Sequence, residues 1–524
     1  MEPMKEILMF AYNPEIKNVS LIEINKRESW AKVQCDISWK NAWKNDINCD
    51  GVWFFLKYRF AQGDWKHGTL KKASSNEFNF TDQTPKNFSK GSTGLGMWVP
   101  ESKKGAFLYR TEGEGDVCAN NVAVLWDYSK DMLEGKDIND VDIRIFGIEM
   151  VYVPKAAYYL GDPDGPDGPA NCFYTYYNNG AYLISSEDSI VVDAQEGCLY
   201  CNRTKPIEQN SRDDVPFVIP ASFPKGYNAF WCMKYGLSMG QYVDFLNTLN
   251  RKQQNARTLS DISSDIIENF YVMSNTQAEL LRNTIICPRT NNGKEKPVIF
   301  STQTPSRACN ILSWGDQCAY AAWSALRPIT EMEYEKACRG TAAPIANEFA
   351  WGTTRIGRID GFEGTDGSGN EIKSPTTGIV NCCFDGGIGP FHRGKQKQPK
   401  YPGFEGPVSS GIFARSGHQG IPKRENDGAT FYGIMEMSGN LWEPCVTPGH
   451  PRGRAYTGIR GLGELDADGD AHIPNWPGKN GEGAGARGGV WVSPGAVYMC
   501  MARRQAGAHV KASPRYNGGC RLGF

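Results

Sequence analysis

The stretch GARGGVWVSPGAVYMCMARRQ, residues 485–505, sets a glycine pair, Gly488 and Gly489, behind an arginine and ahead of several large side chains. A cysteine, Cys500, follows a few residues on. A thiol in such a setting could serve as a nucleophile or as a ligand for a soft metal ion. Elsewhere Cys198 and Cys201 in CLYC have the close spacing of a metal or redox pair, and Cys382 and Cys383 are adjacent. A structural zinc wants a second such pair, and none follows, so these read as plain buried or surface thiols. The histidines His67, His392, His418, His450, His472 and His509 are scattered, with no two in one helical turn. A non-haem iron site needs clustered ligands. The run DADGD (Asp466, Asp468, Asp470) alternates carboxylates but lacks the glycine and closing glutamate of an EF-hand. It reads as a solvated turn, and so does GDPDGPDGP from Gly161.

The elements that position these residues fall into two parts. At 524 residues the chain is too long for one ordinary core, and 58 glycines with 30 prolines point to turns and long loops rather than helical bundles. Residues 1–145 read as an all-β, sandwich-like domain. In WAKVQCDISW, Ala31, Val33, Cys35, Ile37 and Trp39 alternate, and in GVWFFLKYRF, Val52, Phe54, Leu56, Tyr58 and Phe60 share one side. VAVLWDY repeats the pattern with Val122, Val124 and Trp126. A boundary is expected near residue 145. Three helix starts follow, each with capping-box spacing: Ser238 with Gln241, Ser313 with Asp316, and Thr330 with Glu333, the last helix closing at Gly340. Beyond residue 341 glycine recurs and helical periodicity fades. Long irregular segments of that kind serve a function or need local ties such as bound ions.

With a net charge of −1 and no long basic run, nothing favours nucleic acid or an anionic membrane as partner. The apolar run from Ile7 to Tyr12 is shorter than a signal-peptide core, and no run is long enough to span a bilayer. The chain is expected in the cytoplasm or on a phage particle, without membrane insertion.

Six motifs then become specific: EMVYVPKAAYYLGD, LSMGQYVDFLN, ILSWGDQCAYAAW, RPITEMEYEKACRGT, YGIMEMSGNLWEP and ARGGVWV, in that order across residues 149–492. Together they resemble the formylglycine-generating enzyme (sulfatase-modifying factor) superfamily over roughly residues 146–524. The resemblance implies an α+β architecture overall, with a C-type lectin-like domain of long loops behind the all-β region. The enzymes of that superfamily oxidise a cysteine in client sulfatases with a copper ion held by two cysteines, and those positions map onto Ser493 and Tyr498. A hydroxyl and a phenol do not replace two soft thiolates. The sulfoxide synthases of the same fold take iron from histidines on an added helical domain, which the strand-rich N-terminal region does not offer. Neither copper nor iron is therefore expected. The resemblance also implies a possible calcium ion, held by the side chains of Glu436 and Glu443 and the carbonyls of Gly439 and Leu441, with a second site mapping less surely near Asn381 and Cys382.

The scaffold is similar, too, to the variable proteins of diversity-generating retroelements, in which an altered C-terminal segment forms a ligand-binding surface. The Arg-Gly-Gly segment lies in the last forty or so residues, and the chain closes on NGGCRLGF. If the glycines open a terminal β-hairpin, alternate residues point outward. The expected contact set is then Trp491, Ser493, Tyr498, Arg503, Gln505, His509, Lys511, Ser513, Arg515 and Tyr516, whose aromatic and guanidinium groups make strong anchors. Arg521 is assigned instead to a structural ion pair or backbone tie. The expectation is a non-catalytic protein, and the breadth of the surface favours a protein or cell-surface ligand. The alternatives are a metal-dependent oxidoreductase with altered ligands near Ser493, Tyr498 and Cys500, and a structural accessory with this surface as an oligomer contact.

Overall fold

A computed structural model describes residues 14–61, 63–71, 94–131, 136–178, 180–201, 215–265, 267, 270–288, 293–374, 378–384, 406–415, 423–506 and 518–524. Strands β1 (Glu15–Asn25), β2 (Trp30–Lys44), β3 (Asp50–Phe60), β4 (Lys66–His67), β5 (Leu95–Trp98), β6 (Ala106–Arg110), β7 (Gly113–Trp126) and β8 (Val141–Val153) come first. Six strands of three residues follow: β9 (Tyr158–Leu160), β10 (Phe173–Thr175), β11 (Tyr182–Ile184), β12 (Ile190–Val192), β13 (Leu199–Cys201) and β14 (Phe217–Ile219). Then come β15 (Phe230–Met233), helices α1 (Met239–Leu246), α2 (Arg251–Arg257) and α3 (Trp314–Trp323), strand β16 (Arg327–Pro328) and helix α4 (Glu331–Arg339).

The alternation in β2 buries Ala31, Val33, Cys35, Ile37 and Trp39 as its sequence requires. The sheet β1-β2-β7 lays that face on an eight-stranded antiparallel sheet. Strand β3 is apolar on both sides because both are covered. Val52, Phe54, Leu56 and Tyr58 meet the three-stranded sheet, while Trp53 and Phe55 pack against α1 and α3.

The boundary expected at residue 145 falls inside β8. That strand pairs with β3 from Val141 to Val151 and with β15 from Met150 to Val153. The large sheet runs β16, Leu522–Gly523, β15, β8, β3, β6, β5, so the last strand of the chain lies between β15 and β16. The reason is burial on both faces, which leaves no solvated linker. Trp53 Nε1 donates to Ser324 O at the end of α3, and the buried Lys57 Nζ donates to the carbonyls of Trp323 and Gly463.

All three expected capping boxes form, and Gly340 ends α4 at φ 63°. A fourth, Asn250 with Gln253, starts α2. No helix among the described residues is long and apolar enough to cross a membrane.

Candidate functional site

Helix α4 is buried along its whole length, charged residues included. A helix polar on several faces is stable inside a protein only if each charge finds a partner. Here arginines from a strand, from a loop and from the helix itself supply the partners. Arg487 reaches Glu331 through Nε at 3.3 Å and Glu335 through Nη1 at 2.8 Å, and donates to Met501 O at 3.0 Å. Arg504 meets Glu331 Oε2 at 3.1 and 2.9 Å, and Arg339 Nε meets Glu348 at 2.6 Å. The result is a buried ladder of alternating sign that runs from Arg504 to Glu348.

The ladder fixes the segment that carries the Gly-Gly pair. Strand Ala484–Arg487 pairs with Glu443–Val446 on one side and Gln505–Ala506 on the other. Gly488 and Gly489 then take φ of 84° and 75°. A Cβ at Gly488 would lie 2.8 Å from Met437 O, and one at Gly489 would lie 2.4 Å from Met499 Cε and 2.6 Å from Tyr498 O. Only glycine fits such a left-handed, crowded entry.

No hairpin follows. Two successive left-handed residues turn the chain inward, where Trp491 N donates to Asn440 O and Ser493 N to Val490 O, and a short 3-10 turn, Ala496–Met499, comes next. This corrects two expected surface positions. Trp491 is buried beside Leu441, Trp442 and Val490, and buried Ser493 uses its hydroxyl to accept from Val490 N. Tyr498 is half-buried, and the Arg503 guanidinium lies 4.4 Å from its ring centroid and 5.8 Å from that of Trp442. Gln505 sits in the edge strand of this small sheet. His509, Lys511, Ser513, Arg515 and Tyr516 lie outside the described residues. Both flanks of that stretch are held, Ala506 by Gly485 and Gly518 by Trp442.

Three of the candidate thiols, Cys500, Cys382 and Cys201, are retracted, while Cys198 is half-buried. Cys500 donates to Asn347 O at 3.3 Å, and burial pushes its pKa up to about 12. Cys382, also raised by burial, donates to Ser438 O, and Asn381 is spent on Gly357 N and Glu425 O. Cys201 accepts from Arg504 Nη1 at 2.7 Å and donates to Asn171 O. DADGD forms a turn in which Asp466 Oδ1 accepts from the amides of Asp468 and Asp470, while Lys252 and Arg257 pair with Asp468 and Asp470.

Three of the four residues mapped to calcium come together: Glu436, Leu441 and Glu443 line one small cavity, with Arg521 among them. Arg521 Nε donates to Glu443 Oε1 at 2.7 Å, and Glu436 Oε1 accepts from Gly411 N. Burial pushes Glu436 up to about 7, with Arg521 only partly opposing it. The guanidinium is thus the cation paired with Glu443, and its charge also acts on Glu436. Its other donors hold the carbonyls of Met233, Lys234 and Met435, the structural tie expected of Arg521. No group of three or more His, Cys, Asp and Glu side chains gathers as a metal site among the described residues.

A family model, the sulfatase-modifying factor enzyme 1-like domain, matches residues 207–522. The chain belongs to this family. No curated protein matches it. In this sulfatase-modifying factor-like domain, preceded by a β-rich region, the ladder was the feature sequence reasoning missed. Its signal was present: α4 has Glu331, Glu335 and Arg339 at helical spacing between apolar neighbours, with Arg487 and Arg504 far along the chain.

Proposed function

We propose that this member of the family is a non-catalytic ligand-binding protein, with a C-type lectin-like scaffold presenting a C-terminal contact surface, of the kind that retroelements diversify. One observation carries the reading: at the two positions where the resemblance implies thiol ligands, Ser493 closes a turn with its hydroxyl and Tyr498 lies under the Arg503 guanidinium. Neither offers a thiolate. The lectin-like reading is supported by the sheet order, in which β8, β15 and Leu522–Gly523 are neighbours, so the two ends of the domain meet. The contact set is Tyr498, Arg503 and Gln505 with His509, Lys511, Ser513, Arg515 and Tyr516, and the partner is a protein or cell-surface molecule. Calcium is not needed at Glu436 and Glu443, because Arg521 supplies the positive charge.

The test has two arms. Randomising the contact set in a display library and selecting against an immobilised protein such as lysozyme yields folded binders whose melting temperature stays near the parent's. Copper-loaded protein incubated with a cysteine-containing sulfatase peptide yields no aldehyde by mass spectrometry. Copper-dependent aldehyde formation, or a library that unfolds, overturns the proposal.

A further inference from the structure

The early part of β8 has a strand neighbour on one side only. β15 pairs with it from Met150 onward, so among the described residues the stretch from Ile143 to Ile148 pairs with β3 alone. Gly147 lets β1 come close to that stretch, since a Cβ there would lie 2.9 Å from Ile16 Cδ1 and 3.1 Å from Pro14 Cγ. Between these strands and two helices lies a cavity of about 340 Å³. Its walls are the start of β1, residues 143–148 of β8, Gln241 and Asp244 of α1, and Tyr320 and Trp323 of α3. Ligand pockets run from about 300 to 1,000 Å³, so this one suits a small metabolite better than a polypeptide segment.

Most of the wall is aliphatic or aromatic, and two charges of opposite sign interrupt it. Alternation along β8 sets Arg144 on the same side as Phe146 and Ile148, which pack toward the helices. Helical spacing sets Gln241 and Asp244 on one face of α1, and Tyr320 and Trp323 on one face of α3. Both charged groups are unspent. The Arg144 guanidinium stacks on Trp65, 4.7 Å from the ring centroid, and makes no hydrogen bond or ion pair among the described residues. Asp244 likewise has neither, and Arg144 acts on it only through space. Water reaches the Asp244 side chain, yet the protein around it pushes its pKa up to about 6, with Arg144 opposing. That combination marks a carboxylate recessed in a cleft. Two further polar groups in the wall are idle. Gln241 spends its side-chain carbonyl on Ser238 N, which leaves its amide nitrogen without an acceptor among the described residues, and buried Trp323 Nε1 has no hydrogen-bond partner. Buried donors are ordinarily satisfied, so unmet ones beside a cavity point to an absent ligand.

A carboxylate and a guanidinium that share a cleft without touching are matched by a ligand carrying an ammonium and a carboxylate on one carbon. The apolar remainder of the wall takes an aliphatic or aromatic body. We propose that the cavity between β1, β8, α1 and α3 binds a free α-amino acid with an apolar side chain, its ammonium on Asp244 and its carboxylate on Arg144. A simple amine or a simple acid meets one of the two charges and leaves the other desolvated without a partner. This site is separate from the C-terminal contact set and does not depend on it.

The probe is L-leucine, titrated calorimetrically into the full chain. Isoamylamine, which lacks the carboxylate, and isocaproate, which lacks the ammonium, are the controls. Leucine binds with a Kd below about 1 mM, and each control binds at least tenfold more weakly. Asp244→Asn and Arg144→Gln each weaken leucine binding at least tenfold. Both side chains are exposed, so the melting temperature of each variant stays near the parent's. Tyr498→Ala with Arg503→Ala leaves leucine binding unchanged, which separates this proposal from the C-terminal one. Failure of leucine to bind, equal binding of either control, or indifference to either the Asp244 or the Arg144 variant would each overturn it.

Discussion

Replacing Arg487 by methionine tests whether the buried ladder holds the Gly-Gly segment. The side chain is fully buried and donates to Glu335, Glu331 and Met501 O. Methionine fills much of the volume but leaves three buried acceptors short of a donor. Removing one partner of a buried ion pair costs about 3–5 kcal/mol. The lower end applies, because Glu331 keeps both contacts from Arg504 and Glu335 keeps the amide of Gly161 at 2.6 Å. The expected loss is therefore about 3 kcal/mol, or about 6–10 °C in melting temperature for a large domain, read by scanning calorimetry. The double variant Arg487→Met with Glu335→Gln should recover part of it, since the uncompensated charge is then gone. Lys252→Ala, which breaks the exposed pair with Asp468, serves as the control and leaves the melting temperature unmoved. If Arg487→Met costs less than about 1 kcal/mol, or matches the control, the ladder does not hold the segment and the reasoning fails.

Three further outcomes are expected. Burial pushes Glu149 up to about 8, opposed by Lys234 and reinforced by Asp50. The folded state thus keeps a proton that the unfolded carboxyl, near about 4.3, sheds. That stability is complete below about pH 4 and lost as pH rises through about 8, so Glu149→Gln flattens the fall in melting temperature between about pH 6 and 9. A variant as pH-dependent as the parent contradicts this. Calcium or a chelator leaves the melting temperature of the parent unchanged, whereas Arg521→Met lowers it by about 3 kcal/mol of stability, because Glu436 and Glu443 lose their cation; calorimetric binding of calcium by the parent refutes that assignment. Gly489→Ala costs about 1–3 kcal/mol through its left-handed backbone and the crowding of Met499 and Tyr498, while Gly495→Ala, at φ −153° with its nearest neighbour 3.9 Å away, costs nothing measurable in urea unfolding.

Features that rest on local chemistry were readable from sequence alone. The alternation in β2 and the three capping boxes need only neighbours along the chain, and both formed as expected. The side of β3 that carries Val52, Phe54, Leu56 and Tyr58 is likewise buried, while the cover on its other face, over Trp53 and Phe55, comes from helices far along the chain. The boundary at residue 145 misled because the charged run EGKDINDVDIR, residues 134–144, resembles a linker, whereas β8 starts within it at Val141 and goes on to pair with β15. The hairpin after Gly489 misled for another reason. Alternation counts residues from a straight strand, and two left-handed glycines bend the path, so Trp491 and Ser493 point in rather than out. Strands of three residues, such as β9–β14, hold too few positions for a period to register.

The arginines explain how a loop-rich domain stays ordered. Arg307, Arg339, Arg487, Arg504 and Arg521 are among the largest fully buried side chains. A planar guanidinium with five donors bridges carboxylates and backbone carbonyls that no helix or sheet serves. Arg521 shows this most plainly, holding one carboxylate and the carbonyls of Met233, Lys234 and Met435 at once. Two of these anchors, Arg504 and Arg521, stand on either side of residues 507–517 in sequence, tied to Glu331 and Glu443 respectively. Anchors at both ends of a segment are what the C-terminal contact surface proposed above would need at its margins.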